Sequence, residues 1–314
     1  MFRIATTAFF LLVFCSLGVA QTLSLPSIYG IDFVRVKAAD FQKSADTYSK
    51  ILGLSTGGYG CTHAKNPCYV VNAEQHVELT KATAGDSGSW LEEIAFGTND
   101  VSRLREYLQS QQIVVSHIQT AADGRPFIEA QDPEHNRIAF VTFSNRDATA
   151  PLNPHQVGPR IFHAGFVVHD LGTMKHFYMD QLGFRLYWRG GFKDIPPGTA
   201  ERNSDIDWFA LQVPDGSDWI EFMLNISANA DHQELGVQNH FCLGVANMQK
   251  ALDQLHANGL APDSKYADDK AEIGRDGKWQ FDIFDPDWTR IEFMEPTPSK
   301  DPCCHPFSAP HPKL

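Results

Sequence analysis

Four side chains in the second half of the chain belong to the residue types that bind divalent metal ions. They are two histidines and two glutamates, His163, Glu221, His240 and Glu292. Two imidazoles and two carboxylates suit an octahedral divalent ion and leave two positions for water or for a chelating substrate. Such an ion is a Lewis acid, which polarises a carbonyl and stabilises developing negative charge. The quartet therefore predicts metal-assisted chemistry.

The alternation of side chains along four predicted strands indicates that all four side chains of the quartet point into one cavity. In the strand around His163, Phe166 belongs to the apolar set that packs against a helix, so His163 faces the opposite side. The same alternation turns His240 away from its apolar neighbours. It also turns Glu221 and Glu292 away from the isoleucine and phenylalanine that flank each of them.

The strand that carries Glu292 has a counterpart in the first half of the chain. Residues 132–140 read Asp-Pro-Glu-His-Asn-Arg-Ile-Ala-Phe, and residues 285–293 read Asp-Pro-Asp-Trp-Thr-Arg-Ile-Glu-Phe. An Asp-Pro turn that leads into an Arg-Ile-x-Phe strand needs no glutamate to fold. The difference between Ala139 and Glu292 therefore indicates chemistry in the second half only.

The first-half positions that correspond to the quartet are Phe33, Glu78, Glu93 and Ala139. Both histidines and one carboxylate are missing from this set. Alternation also places Arg35 and Lys37 on the inner face, where their charges can neutralise the two glutamates. We interpret this half as a scaffold or as a binding cup without a metal.

Longer repeats divide the chain into four related units. The segment from Phe33 to Leu54 returns from His163 to Phe184 at an offset of 130 residues, and shorter echoes begin at Glu93 and His240. Each unit predicts a strand, an amphipathic helix and further alternating strands. A segment with three prolines between Phe143 and Ile161 predicts a domain boundary.

The predicted organisation has five segments. Residues 1–20 form a secretory signal, since an apolar run follows Met-Phe-Arg and small residues precede Gln21. An N-terminal domain spans 28–145, a linker 146–160, a C-terminal domain with the metal site 161–296, and a Pro-rich tail 297–314. The apolar run is shorter than the roughly 20 residues that cross a bilayer. We therefore expect a secreted or periplasmic protein.

The composition restricts the partners of this chain. Asp and Glu number 38 against 26 Lys and Arg, a formal net charge of −12, and there is no basic cluster to follow a phosphate backbone. We expect a small-molecule substrate, no nucleic acid and no membrane. Four units in one chain can complete two cups, so a monomer and a homodimer are both compatible with the sequence.

The cysteines are odd in number once the signal, with Cys15, is removed. In an oxidising compartment disulfides are expected, and Cys61 and Cys68, which flank a short loop with Asn-Pro, form the favoured pair. Cys303 and Cys304 lie in the tail. The sequence is compatible with an unpaired thiol and with an intermolecular disulfide at these two positions.

The four units, the Tyr-x-x-x-Leu-Gly helix ends at Tyr48 and Tyr178 and the closing Asp-Pro-x-x-x-Arg-Ile strands resemble the vicinal oxygen chelate superfamily over residues 30–296. This superfamily includes glyoxalase I, methylmalonyl-CoA epimerase, bleomycin-resistance proteins and extradiol dioxygenases. The resemblance implies an α+β fold, in which four βαβββ modules pair into two cup-shaped, partly open β-barrel domains. It also implies metal ligands on the inner faces of the strands.

The order His, Glu, His, Glu, with spacings of 58, 19 and 52 residues, is similar to the bacterial glyoxalase I pattern. The resemblance implies one divalent ion, Ni, Co, Zn or Mn, and a substrate chelated through two neighbouring oxygens. Glu221 or Glu292, displaced from the metal, would take a proton next to a carbonyl. This is isomerase, epimerase or lyase chemistry.

Two alternatives stay open. Without Glu221, the remaining three residues of the quartet are the 2-His-1-carboxylate triad of non-haem Fe(II) extradiol dioxygenases. However, the tyrosine that this family places three residues before Asp-Pro is replaced here by Asp282, and residues 272–276 contain no histidine or tyrosine. A protein of bleomycin-resistance type would only bind a small molecule, but it does not need the quartet.

An aromatic-rich insert between Tyr187 and Phe209 is long enough to cover the cup. We expect Arg189 and Trp208 from this insert, together with Asp282, to contact the substrate. The alternative is a surface excursion whose aromatic side chains complete the core.

Overall fold

The computed structural model describes residues 23–57, 61–62, 66–83, 85–86, 88, 90–143, 152–194 and 206–314. The predicted signal at 1–20 and residues 146–151 of the predicted linker lie outside this part of the chain. Residues 195–205 of the aromatic-rich insert do so too. Within the described ranges, no helix has the length and apolar character needed to cross a membrane.

Strands dominate the described residues and form two eight-stranded mixed sheets. The first sheet contains β1 (Ile28–Ala38), β2 (Ser55–Thr56), β3 (Cys68–Val70), β4 (His76–Lys81), β5 (Leu91–Thr98), β6 (Gln119–Thr120), β7 (Pro126–Gln131) and β8 (Arg137–Thr142). The second contains β9 (Arg160–Val168), β10 (Arg185–Gly191), β11 (Asp207–Gln212), β12 (Trp219–Leu224), β13 (His240–Gly244), β14 (Glu272–Ile273), β15 (Trp279–Phe284) and β16 (Arg290–Met294).

The two sheets repeat one arrangement of strands. Their orders are β2-β3-β4-β1-β5-β8-β7-β6 and β10-β11-β12-β9-β13-β16-β15-β14. In the first sheet β1 lies between the parallel β4 and the antiparallel β5. In the second sheet β9 lies between the parallel β12 and the antiparallel β13. This is the two-domain α+β fold that the resemblance implies.

The helices are short and start at polar caps. They are α1 (Phe41–Ala45), α2 (Val101–Ser110), α3 (Leu171–Lys175), α4 (His232–Gln238) and α5 (Met248–Ala257), and α1 and α3 continue as the π-helical segments Asp46–Ile51 and His176–Gln181. The side chains of Asp40, Asp100, Asp170, Asp231 and Asn247 accept hydrogen bonds from the first-turn amides. These caps satisfy amides that the helix itself leaves without a partner.

The repeated Asp-Pro turns join the two halves of the molecule. The Tyr48 hydroxyl donates to Asp285 and the Tyr178 hydroxyl donates to Asp132, each at 3.2 Å. Each tyrosine belongs to the opposite half from its carboxylate. Asp132 and Asp285 also accept backbone hydrogen bonds within their own turns. The repeated sequence therefore has a structural role, which is to fix each turn and attach it to the other half.

Apolar side chains from both halves share the main core. Phe96 of β5 packs edge-on against Phe184, with 5.4 Å between ring centroids, and Phe140 of β8 lies 5.9 Å from Phe96. All three rings are buried. Burial of this apolar surface favours the folded state and packs the two sheets together.

A buried ion pair fills part of the inner face of the first sheet. Arg35 contacts Glu78 at 3.3 Å and also pairs with Glu93, and all three side chains are buried. The prediction that Arg35 neutralises the two glutamates is thus confirmed. The prediction that Lys37 does so as well is wrong. Lys37 lies one residue before the end of β1 and instead pairs with Asp86 at 3.3 Å near the surface.

Two disulfides link four of the cysteines. Cys61 is bonded to Cys68, as their spacing predicts, with 5.9 Å between Cα atoms. Cys303 is bonded to its neighbour Cys304, so the expectations of an unpaired thiol or an intermolecular bridge are corrected. Cys242 is a buried free thiol.

The Pro-rich tail, residues 297–314, has no helix or strand and packs on the second sheet. The Ser308 amide donates to the Tyr187 carbonyl at 2.8 Å, and the Trp188 indole N–H donates to the His305 carbonyl at 3.0 Å. Phe307 lies 4.9 Å from the Tyr187 ring. The tail therefore covers the strand that begins the aromatic-rich insert.

Candidate metal centre

The predicted quartet lies on four adjacent strands of the second sheet. His163 is on β9, Glu221 on β12, His240 on β13 and Glu292 on β16. These strands are neighbours in the order β12-β9-β13-β16. Because alternate side chains of a strand share one face, the four side chains converge on the inner face of the sheet.

Three of these residues form a compact, buried group. His163 Nε2 is 2.9 Å from His240 Nε2 and 3.2 Å from Glu292 Oε2, and His240 Nε2 is 3.3 Å from the same oxygen. Atoms bound about 2.1 Å from one metal would be about 3.0 Å apart in adjacent octahedral positions. The three observed distances fit donor atoms that occupy three adjacent positions around one divalent ion.

Glu221 lies at the edge of this group. Its Oε2 is 3.5 Å from His240 Nε2, and its side chain is 13% exposed. The group whose atoms all lie within 4.8 Å of one another consists of His163, His240 and Glu292. The structure thus brings the four predicted residues together but separates Glu221 from the tightest set.

The protonation states of the compact group suit metal binding. Burial and the Arg290 charge lower the pKa of His240 to about 3, and burial lowers the pKa of His163 as well. Burial raises the pKa of Glu292, but hydrogen bonds with both histidines outweigh it and hold that pKa well below its usual range. Neutral imidazoles beside an ionised carboxylate are the forms that bind metals.

Glu221 is electrostatically different from Glu292. Burial and the nearby Glu292 charge raise the pKa of Glu221 to about 8. A carboxylic acid with a pKa in this range can both donate and accept a proton near neutral pH. The two glutamates are therefore suited to different roles.

Neighbouring residues determine where the His240 ring can lie. Its Nδ1 is 2.8 Å from the Gln238 carbonyl and 2.7 Å from Arg290 Nη2. Arg290 also contacts Asp282 at 3.3 Å. On the other side, a Cβ atom at Gly165 would lie only 2.6 Å from His240 Cε1. A glycine at position 165 is thus required for this ring position.

A cavity of about 410 Å³ opens on the candidate centre. Glu221 and Glu292 line it, together with an aromatic wall of Trp188, Phe192 and Trp208. Its volume lies in the range of small-molecule sites. The cavity therefore gives a small substrate access to the carboxylates.

The three residues predicted to contact the substrate lie in different places in the structure. Trp208 lines the cavity. Arg189 is exposed and Trp188 takes the inward position on β10, so the substrate contact of Arg189 stays a prediction. Asp282 pairs with Arg290 and is not among the cavity-lining residues.

Sequence reasoning missed two positively charged residues of this site, Arg275 and Arg290, both of which line the cavity. Arg290 belongs to the Arg-Ile-x-Phe phrase that both halves share, and this sharing indicated a structural role. Its contact with His240 follows from the pairing of β13 with β16. No local sequence signal marks Arg275.

Comparison with known protein families finds a match in the second half of the chain. Residues 160–293 match the family model of the Glyoxalase/Bleomycin resistance protein/Dioxygenase superfamily. No curated protein sequence matches the chain.

Solved structures with similar folds include two enzymes. Homoprotocatechuate 2,3-dioxygenase from Brevibacterium fuscum, in an anaerobic complex with 3,4-dihydroxyphenylacetate, has 17% identity and a TM-score of 0.58 over 90% of this chain and 83% of that chain. The Mn(II)-bound glyoxalase from Novosphingobium aromaticivorans has 17% identity and a TM-score of 0.63 over 86% of this chain and 83% of that chain. At these identities the similarity concerns the fold.

Proposed function

We propose that this chain is a metal-dependent isomerase, epimerase or lyase, because residues 160–293 match the family model of the glyoxalase, bleomycin resistance and dioxygenase superfamily. Its substrate is a small molecule that binds through two neighbouring oxygens. The observation that carries the proposal is the buried triangle of His163, His240 and Glu292, of which Glu292 lines an open cavity.

His163, His240 and Glu292 would hold one divalent ion, either Ni, Co, Zn or Mn, or Fe(II) under the second candidate below. When bound, the ion supplies Lewis acidity that polarises the oxygens of the substrate. The positions of the metal-binding side chains are fixed by the strands that carry them, which are paired neighbours in the second sheet. Trp188, Phe192 and Trp208 give the cavity an apolar wall on one side.

Glu221 is the residue proposed to move the proton. It lines the cavity beside the metal-binding triangle, and its raised pKa lets it exchange protons near neutral pH. Glu292 is less suited to this step, because both histidines hold it as an ionised carboxylate. Of the two glutamates predicted to be catalytic, the proposal assigns proton transfer to Glu221 and metal binding to Glu292.

An extradiol-type dioxygenase is the second candidate. The observation in its favour is that the compact group contains two histidines and one carboxylate and does not include Glu221. The fold is also similar to that of an extradiol enzyme. Against it, Asp282 stands where that family has a tyrosine, and Asp282 is engaged by Arg290.

A hydrogen-exchange experiment separates the two candidates. Protein purified without oxygen and loaded with Mn(II) or Fe(II) is incubated in D₂O with a panel of α-hydroxy and α-oxo carbonyl compounds, and deuterium uptake is followed by NMR. Proton transfer by Glu221 predicts uptake that falls by about 100-fold or more in Glu221→Gln. Glu272→Gln, which changes an exposed glutamate of the same cavity, is the matched control and should exchange normally.

The same preparations are tested for oxygen uptake with catechols. Oxygen consumption that is indifferent to Glu221→Gln would establish the dioxygenase instead. Failure of both reactions in metal-loaded protein would contradict the enzyme proposal and favour a binding protein of bleomycin-resistance type.

Export and assembly complete the proposal. We propose that the mature protein starts at Gln21, works in a secreted or periplasmic location and is a monomer or a homodimer. N-terminal sequencing of protein from the medium or periplasm tests the first point, and light scattering measures the oligomeric state. A mature chain that retains residues 1–20 would contradict export through this signal.

A further inference from the structure

The imidazole of His163 lacks the support that metal-binding histidines usually have. Such a histidine normally donates its second ring N–H to a carboxylate, a carbonyl or water, and this bond fixes the ring. His163 is fully buried, and among the described residues its Nδ1 has no hydrogen-bond partner. By contrast, His240 Nδ1 lies 2.8 Å from the Gln238 carbonyl. A different contact must therefore fix the His163 ring.

Trp219 provides such a contact. Its indole stacks on the His163 imidazole with 4.5 Å between centroids and 26° between planes. Trp219 is 2% exposed, and its Cα is the partner of His163 in the pairing of β12 with β9. His163 and Trp219 are thus held together both by the pairing of their strands and by the contact of their rings.

The indole of Trp219 is itself tightly enclosed. The Lys278 ammonium lies 4.6 Å from its centroid, and the Tyr187 ring lies 4.8 Å from it. Lys278 is fully buried and donates to the Tyr187 hydroxyl at 2.8 Å. A desolvated cation beside an indole is held by the electrons of the ring. Trp219 therefore has little freedom to move away from His163.

The first half of the chain has a different ring pair at this place. Phe33 and His76 are partners in the pairing of β1 with β4, as His163 and Trp219 are in the second sheet. Their centroids are 5.1 Å apart, and His76 Nε2 contacts Glu78 at 3.1 Å. Among the residues that the structure describes, this place holds an indole beside an imidazole in the half with the candidate centre and a phenylalanine beside an imidazole in the other half.

We propose that Trp219 is the positioning residue of His163 and replaces the hydrogen-bonded partner that fixes a metal-binding histidine. This inference rests on the proposed role of His163 as a ligand. It adds a residue that contacts neither the substrate cavity nor the metal. Loss of the indole lets the imidazole turn, so the three donor atoms no longer form the observed triangle.

Cobalt binding to the full-length apo protein tests the proposal. Trp219→Leu removes the ring, Trp219→Phe retains an aromatic face, and Trp90→Leu is the matched control. Trp90 packs on another histidine, His232, at 4.2 Å between centroids. Each variant is titrated with Co(II), and the visible absorption bands report the ligand geometry while the titration gives Kd.

Trp219→Leu should raise the Kd for Co(II) by about 10- to 100-fold, which is the usual effect of losing a supporting residue. It should also change the visible spectrum of bound Co(II). Trp219→Phe should keep a Kd and a spectrum close to those of wild type, and Trp90→Leu should change neither the Kd nor the spectrum. Wild-type affinity and spectrum in Trp219→Leu would overturn the proposal. So would an equal loss of affinity in Trp90→Leu.

NMR of ¹⁵N-histidine-labelled protein without metal separates this inference from the proposed function. A fixed ring predicts one sharp pair of His163 signals in wild type, and doubled or broadened signals in Trp219→Leu. Sharp signals in both proteins would refute positioning by Trp219, whatever metal is bound. A wild type that has the fixed ring but binds no Co(II) would contradict the metal-enzyme proposal instead. If Trp219→Leu does not fold, Trp219→Met, which also lacks a ring, takes its place, and sharp His163 signals in that variant would refute the proposal.

Discussion

Arg35 and Gly165 occupy corresponding positions in the two sheets. Arg35 is the Cα partner of Glu93 on the neighbouring strand, and Gly165 is the Cα partner of His240. In the first half the guanidinium pairs with Glu93 inside the protein. In the second half the missing side chain leaves room for the imidazole, so the positive charge near the carboxylates can come from a bound ion.

Replacement of Gly165 should disturb the candidate centre more than the fold. A Cβ atom at this position would lie 2.6 Å from His240 Cε1, so Gly165→Ala moves the imidazole. We expect at least about a 10-fold rise in the Kd for Mn(II), by analogy with other losses of ligand support. Isothermal titration calorimetry measures this Kd. Gly172→Ala, at an exposed position of helix α3, is the control, and equal Kd values in the two variants would refute this explanation.

Replacement of Arg35 should reduce stability without changing metal binding. Arg35→Met removes the guanidinium between two buried glutamates, so the free energy of unfolding should fall by about 3–5 kcal/mol. Lys37→Met, which breaks a partly exposed pair with Asp86, should cost less than about 1 kcal/mol. Urea denaturation gives both values. Equal costs for the two variants would mean that the buried pair does not neutralise the first cup.

The reciprocal tyrosine contacts should couple the two halves. Tyr48→Phe and Tyr178→Phe each remove one buried hydrogen bond to an Asp-Pro turn, which should cost about 1 kcal/mol of unfolding free energy each. The variant Tyr29→Phe changes a partly exposed tyrosine and serves as the control. Thermal denaturation followed by circular dichroism tests the expectation, and melting temperatures equal to wild type in both turn variants would contradict it.

The pH dependence of stability should report on Asp285. Burial raises the pKa of Asp285 to about 7 in the folded state. Because this pKa lies above the value of about 3.9 in an unfolded chain, the folded state binds the proton more tightly. Its contribution to stability is thus complete below about pH 4 and is lost as the pH rises through about 7. The stability of wild type relative to Asp285→Asn should therefore decrease between these values. A constant or rising difference would show that the carboxylate is stable in its turn when ionised.

Much of the fold and of the candidate centre follows from local patterns in the sequence. Strands have a period of two, so the apolar neighbours of His163, His240 and Glu292 were enough to assign their common face. The same reasoning predicted that Arg35 faces Glu78 and Glu93. The repeats predicted which strands correspond, because each half repeats the same order of elements.

Other features depend on contacts between distant segments and could not be derived in this way. The distance of Glu221 from the compact group depends on the geometry of four strands, so spacing alone treated it as an equal ligand. The outward direction of Arg189 depends on the course of β10. The joining of the halves through Tyr48 and Asp285 depends on how two sheets pack, and a single sequence contains no direct signal for it.

The metal content of purified variants shows whether His163, His240 and Glu292 form a metal centre. Wild type, His240→Ala and Glu221→Gln are purified without oxygen, loaded with Mn(II), desalted and analysed by inductively coupled plasma mass spectrometry, with His176→Ala as an exposed-histidine control. We expect about one ion per chain in wild type, His176→Ala and Glu221→Gln, and almost none in His240→Ala, because that variant lacks one of the metal ligands. A full equivalent of metal in His240→Ala, or none in wild type, would contradict the assignment of this centre.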